Sequence, residues 1–302
     1  MNLAICICTY NRNNKLIKCL DSIEKINLLN KFSIKIIIVD NSINKNSYFL
    51  IKNIRTKFKY KILYFNEKRR GVVHARNKCL KILKKINPTY ACFFDDDCVI
   101  DKQWFINVLK IKQNKTASII TGPQLHKNSI DYRGKRYGDY QDLFEKKFEK
   151  PTEVKWAATN NVFFKYDILK KNQIYFDIKL NKFGMGEDQL FFSILNKKGN
   201  KIFWCEKIKV YETSHKNRSE ISWIQNRSYR LGVLGHYLDI TMYGKPIGYF
   251  INYLKSAFFL LNSIKYSFFY FFIYKKKIKT ILNFYRFYGK LMGPFVIKKI
   301  SF

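Results

Sequence analysis

The chain is predicted to be an α/β protein. Residues 1–220 read as a mostly parallel central sheet flanked by helices, and residues 221–302 as a helical C-terminal region. Three observations carry this. Apolar runs of strand length alternate with helical spacing through the first hundred residues, the pattern of a doubly wound parallel sheet. Three of those runs end directly in polar residues, and open α/β sheets hold their ligands at the carboxyl ends of their strands. After Asp239 the composition changes: residues 240–302 contain 11 Lys or Arg and no acid, and are dense in Phe, Tyr, Leu and Ile.

The elements follow in order. Leu3 to Cys8 is a first buried strand that ends in the polar turn Thr9-Tyr10-Asn11-Arg12. Leu16, Leu20 and Ile23 then recur at helical spacing. Ile34 to Val39 is a second strand, closed by Asp40-Asn41-Ser42, and Lys61 to Phe65 a third. Gly71 opens a helix continued by Leu80, Leu83 and Ile86, where Arg70 and Arg76 bring cations to a helix start, a favourable place for phosphate. Tyr90 to Phe94, preceded by Pro88, is a short aromatic strand that runs into Asp95-Asp96-Asp97. Three adjacent carboxylates repel unless solvated or covered by a cation. Carboxylate oxygens suit Mg²⁺ or Mn²⁺ carrying a phosphorylated ligand.

Further along, Trp104 and Leu109 lie on a helix, and Ala117 to Gly122-Pro123 is a strand with a breaker. Residues 126–150 read as a long polar loop, a place for a lid or an acceptor. Val154 to Phe164 is a strand with a polar interruption. Gly184 and Gly186 precede Glu187-Asp188 at a helix start. Acids there satisfy the helix dipole, or hold a general base beside the acidic strand. Lys201 to Trp204 is a further strand, followed by a segment bearing His215.

The charge of +35, from 57 Lys+Arg against 22 Asp+Glu, favours anionic partners: nucleic acid, lipid headgroups or nucleotide phosphates. AT-biased coding also yields such Lys-, Asn- and Ile-rich chains, so the location of the charge matters more than its total. A nucleic-acid-binding protein would explain the charge but would leave Asp95-Asp96-Asp97 and Glu187-Asp188 without a purpose. A nucleotidyltransferase would carry a glycine-rich basic loop after the first strand, and Thr9-Tyr10-Asn11-Arg12 is not one. The seven cysteines lack zinc spacing and read as buried apolar residues in a reducing compartment. The first apolar run is only strand length and has no Lys or Arg before it, unlike a secretory signal.

In the tail, Phe250, Leu254, Ala257, Leu261, Ile264, Phe268 and Phe272 fall at steps of three and four, with Asn252, Lys255, Asn262 and Ser263 opposite. Lys275-Lys276-Lys277 follow. This reads as an amphipathic helix with a basic polar face, suited to an anionic membrane surface. Lys255 and Lys265 interrupt any run of the ~20 apolar residues that a spanning helix needs.

Together, Cys8-Thr9-Tyr10-Asn11-Arg12, Val39-Asp40-Asn41-Ser42, Gly71 through Ala75-Arg76-Asn77 and Phe94-Asp95-Asp96-Asp97 match, in order and spacing, the nucleotide-binding half of a family 2 glycosyltransferase. The chain resembles the succinoglycan-type bacterial exopolysaccharide glucosyltransferases of that family. The resemblance implies the GT-A fold and an inverting, metal-dependent transfer from a nucleotide-sugar, with UDP as the expected carrier. It implies that Thr9, Tyr10 and Asp40 hold the base, and that Arg12, Gly71, Arg76, Asn77 and Asp96 belong to the nucleotide site. Asp95 would contact ribose or the metal, Asp97 would ligate Mn²⁺ or Mg²⁺, and His215 would be a further ligand. Asp188, or Glu187 beside it, would be the base. Leu190 stands where the family often has another acid. The acceptor implied is a lipid-linked saccharide at the inner face of the cytoplasmic membrane, with the protein peripheral there.

Overall fold

The computed structural model describes residues 1–26, 32–114, 116–127, 143–144, 148–213, 218, 220–268 and 274–300. The chain divides into two compact units, Met1–Lys127 with Phe144–Thr213, and Asn128–Leu143 with Ser214–Phe302. His215, Phe272 and most of the expected loop at 126–150 lie outside the described residues.

The first unit begins with β1 (Asn2–Thr9), α1 (Asn13–Glu24), β2 (Ser33–Asp40), α2 (Tyr48–Ile54), β3 (Lys61–Asn66), α3 (Val72–Ile86) and β4 (Tyr90–Asp95). Next come β5 (Val99–Ile100), α4 (Trp104–Asn114), β6 (Ile119–Thr121), β7 (Gln124–Lys127), β8 (Thr152–Val154) and β9 (Asn161–Lys165). The unit ends with α5 (Asp167–Asn172), α6 (Glu187–Lys197), β10 (Ile202–Trp204) and β11 (Val210–Thr213).

Eight strands form one sheet in the order β3-β2-β1-β4-β9-β6-β10-β8, and β5, β11 and β7 form a small second sheet. β3, β2, β1 and β4 are mutually parallel, whereas β9 runs antiparallel between β4 and β6. The expected strand from Val154 to Phe164 is two strands, β8 and β9. They are not neighbours, because the polar stretch between them carries the chain across the sheet.

Side-chain alternation along β1 explains the layering. Leu3, Ile5 and Ile7 face one apolar cluster with Leu16 and Leu20 of α1 and Trp104 of α4. Ala4 and Cys6 face the other, with Ala75 and Cys79 of α3 and Phe191 and Phe192 of α6. Successive strand residues point to opposite faces, so both faces of β1 are dry and its sequence is continuously apolar. All seven cysteines are free thiols, six of them buried.

The chain runs from β1 outward to β2 and β3, then returns to place β4 on the other side of β1. This reversal is the switch point at which open sheets leave a crevice. Register fixes what meets there. Thr9 lies beside Asp40, and Cys8 lies beside Val39 on one side and Asp95 on the other.

The second unit contains three long helices, α7 (Ile221–Tyr243), α8 (Lys245–Phe268) and α9 (Tyr274–Ile300). α7 and α9 approach closely at glycines. A Cβ on Gly232 would sit 2.4 Å from the Arg286 carbonyl oxygen, and one on Gly289 would sit 2.1 Å from that of Tyr229. No helix among the described residues is long and apolar enough to cross a membrane.

Candidate active site

The crevice beside β1 is a cavity of about 460 Å³, in the range of small-molecule sites. Cys8, Thr9, Tyr10 and Arg12 form one wall, Arg70, Gly71 and Arg76 another, and Asp95, Asp96 and Glu187 converge on it.

The turn after β1 is tied to the acidic strand. The Thr9 hydroxyl donates to Asp96 Oδ2 at 2.8 Å. The Arg12 guanidinium reaches Asp96 at 3.2 Å and Asp97 at 3.0 Å, and Lys15 reaches Asp97 at 3.3 Å. Asn11 makes this turn with φ +55°, a left-handed conformation that Asn tolerates.

Asn41, at the end of β2, fastens the opposite wall. Its amide donates to the carbonyls of Glu67 and Arg69, each at 2.8 Å, and its Oδ1 accepts from the Gly71 amide at 2.8 Å. Gly71 has φ +125°, and a Cβ there would overlap the Asn181 side chain, so glycine is required. The Arg70 guanidinium stands 5.9 Å from the ring centroid of Tyr10, which is 44 % exposed at the cavity mouth.

Arg76, on the first turns of α3, is buried and joins the acids. It donates to Asp95 at 3.2 Å and pairs with Glu187 at the start of α6. Burial alone would lower its pKa, but Glu187 and Asp95 raise it, so the guanidinium stays charged. Burial raises the Asp95 pKa to about 7; Arg76 opposes this, and Asp97, Asp96 and Asp188 add to it. Asp96 and Glu187 are also raised by burial, against Thr9 and Arg12 for the first and Arg76 for the second. Asp188 sits beside Glu187 and accepts from the Thr159 amide at 3.3 Å and the Gln189 amide at 2.7 Å. Glu187 Oε2 and the Thr159 hydroxyl are buried, with no hydrogen-bond partner among the described residues.

Not every expected ligand faces the cavity. Asp40 is fully buried and accepts from the amides of Ser42 and Ser47 and from the Tyr64 hydroxyl, each at 2.9 Å. Its oxygens hold the loop after β2, so it is a structural acid, and Asn41 occupies the cavity wall in its place. Asn77 is also turned away. It donates to the Phe176 carbonyl and accepts from the Phe176 amide, which fixes α3 to the segment before α6. Asp97 and Asp188 are half-buried and lie off the cavity wall. Asn41 was visible in the sequence as a polar residue at a strand's carboxyl end, but nothing there singled it out from Asp40.

Among the described residues, no three of His, Cys, Asp and Glu form a ready metal cage. The donors present nevertheless fit a hard divalent cation. The Asp95 side chain is 39 % exposed, and burial, with Asp97 and Asp96 adding to it, raises its pKa despite Arg76, so its ionised form would gain from a cation. Mg²⁺-type ions take one or two carboxylates and fill their remaining positions with phosphate oxygens and water.

The model of the family described as "Glycosyl transferase family 2" matches residues 4–172. Over 235 residues the chain is 26% identical to the succinoglycan biosynthesis protein ExoM of Rhizobium meliloti (strain 1021), covering 77% of this chain and 73% of that protein. Among solved structures, the chain is similar to the mannosyltransferase PcManGT from Pyrobaculum calidifontis in complex with GDP-Man and Mn²⁺. That likeness has TM-score 0.62 and 13% identity, and covers 97% of this chain and 87% of that one. It is also similar to S. aureus TarS 1-349 in complex with UDP-GlcNAc, with TM-score 0.55 and 16% identity over 97% and 91% of the two chains. These likenesses show the GT-A fold. With the family model matched over more than half of its length, the chain belongs to glycosyl transferase family 2.

Proposed function

We propose that the protein transfers a sugar from a UDP-sugar to a lipid-linked saccharide during assembly of a cell-surface polysaccharide. One observation supports this most: the buried Arg76 links Asp95 of the acidic strand to Glu187 at the start of α6, inside a cavity at the sheet's switch point. This arrangement fits a diphosphate and a sugar side by side. The similarity to ExoM supports the polysaccharide role, and the complexes of TarS and PcManGT support a nucleotide-sugar donor.

In this reading the base lies between Tyr10 and Arg70, with Thr9 and Asn41 on the inner wall. Arg12 and Arg76 face the diphosphate. Asp95 and Asp97 would hold Mn²⁺ or Mg²⁺, and Arg12 and Lys15 would yield Asp97 to it. Such an ion supplies Lewis-acid neutralisation of the departing diphosphate. Glu187 keeps Arg76 in place. Asp188 takes the proton from the acceptor hydroxyl as its oxygen bonds to the anomeric carbon and the bond to UDP breaks, with inversion. We place the enzyme at the inner face of the cytoplasmic membrane, held to anionic headgroups by the basic tail.

The test is UDP release from a panel of UDP- and GDP-sugars, with lipid-linked saccharides extracted from membranes as acceptors. We expect one UDP-sugar to be consumed only when acceptor and divalent cation are both present. Turnover of a GDP-sugar alone would overturn the donor assignment, and turnover that ignores lipid-linked acceptors would overturn the acceptor.

A further inference from the structure

On α8 and α9, apolar stripes face outward while polar and small residues are buried. On α8, Phe250, Leu254, Phe258, Leu261, Ile264 and Phe268 recur at steps of three and four, and each is between 56 and 80 % exposed. The same helix buries Gly248, Asn252, Ser256 and Ser263. On α9, Phe284, Tyr288, Leu291 and Phe295 form a second stripe, between 41 and 63 % exposed, whereas Lys290 is buried. A helix of a water-soluble domain has the opposite pattern, with its apolar stripe inside.

The interior is a polar knot. Lys290 Nζ donates to Asp239 at 3.0 Å and to Asn252 Oδ1 at 3.1 Å, and the Asn252 amide donates to the Lys290 carbonyl at 3.3 Å. Lys255 closes on the other Asp239 oxygen. Small residues and interhelical polar contacts hold helices together where the surroundings are as apolar as the side chains themselves. Ten outward side chains, each showing about half of a ~150–250 Å² surface, also far exceed the ~300–600 Å² apolar patch of a typical soluble monomer.

We propose that the two stripes insert into the acyl chains of one leaflet of an anionic bilayer, so that α8 and α9 lie in the membrane rather than on its headgroups. This deepens the membrane placement proposed above and rests on it. Charge selects this occupant. Residues 240–302 have 11 bases and no acid, so a second copy would bring like charges together, whereas anionic headgroups meet them. Lys265, one turn after Leu261, is long enough to extend from the stripe to the headgroups. Over their described residues neither α8 nor α9 is long and apolar enough to cross, so the proposal is confined to one leaflet.

The test is flotation of the full chain with phosphatidylcholine–phosphatidylglycerol vesicles, at low salt and at about 1 M, where the Debye length is ~3 Å. Tryptophan quenching by lipids brominated along their acyl chains then reads depth in a Leu261→Trp variant. We expect flotation at both salt concentrations and strong acyl-chain quenching. Leu254→Ser with Phe258→Ser should lower partition by ~10²-fold. Both residues point outward, so helix content by circular dichroism should be unchanged. Binding that disappears at about 1 M salt, with no quenching, would leave headgroup attachment standing and overturn insertion. A chain that ignores vesicles and sediments as a dimer, dissociated by Phe258→Ser, would make the stripe a contact between copies. A monomer that ignores vesicles would remove the membrane placement altogether, without touching the donor chemistry.

Discussion

Asp95 is the residue at which burial, neighbouring acids and Arg76 contend most openly. Its raised pKa means that its charge opposes the metal-free fold at neutral pH. Asp95→Asn should therefore raise the melting temperature of the metal-free protein, by about 2–4 °C for each kcal/mol relieved. A fall in melting temperature would show that Arg76 outweighs the repulsion. The two acids at the start of α6 should separate by readout. Asp188→Asn should keep the fold and UDP binding while transfer falls about 10²–10⁴-fold, the usual cost of losing a general base. Glu187→Gln should weaken UDP binding, because Arg76 loses the buried carboxylate that holds it in place. Near-normal transfer by Asp188→Asn would move the base to Glu187. Asp95, Asp96 and Arg76 were legible in the sequence because charge beside apolar runs needs an explanation. Asp40 and Asn77 were not, because sequence shows a polar residue at the end of an element but not which way it turns. Their hydrogen bonds to Ser42, Ser47, Tyr64 and Phe176 come from segments that only the fold brings near.

The parallel strands were readable as elements, since residues dry on both faces form unbroken apolar runs. β8 and β9 were not, because no local signal tells a polar interruption within one strand from a crossing between two. α8 is a third case. Its periodicity was plain, yet periodicity alone does not say which face is covered, and the structure covers the small polar one. The α7–α9 crossing depends on backbone approach. Gly232→Ala should cost about 1–3 kcal/mol in thermal or urea unfolding, since its Cβ would meet the Arg286 carbonyl and the Gly289 Cα, which cannot rotate away. A change below ~0.5 kcal/mol would mean that the helices part easily. His236, buried on α7 near Lys290, Asp239 and the Tyr249 ring, has its pKa pushed down to about 4, chiefly by burial and then by Lys290. As pH falls below about 6.5, the unfolded chain takes up this proton before the folded one. The stability that the neutral imidazole contributes is then lost progressively, down to about pH 4. His236→Asn should flatten the loss of stability across this window. An unchanged pH profile would contradict it.

On the scale of the whole molecule, the proposed chemistry and the proposed attachment reside in different units. The candidate cavity is built within the first unit, and the apolar stripes lie on the second. Charge is also divided: the acids that matter converge at the carboxyl end of the sheet, while residues 240–302 carry none. The central claim is that this cavity binds a nucleotide diphosphate through a divalent cation held by the acidic strand. Calorimetric titration of UDP into the full chain, with and without Mn²⁺, in the wild type and in Asp95→Asn, tests it most directly. We expect UDP binding that strengthens at least tenfold with Mn²⁺ in the wild type, about 1.4 kcal/mol, and that loses this gain in Asp95→Asn. Equal UDP affinity with and without Mn²⁺, or a full Mn²⁺ effect in Asp95→Asn, would contradict it.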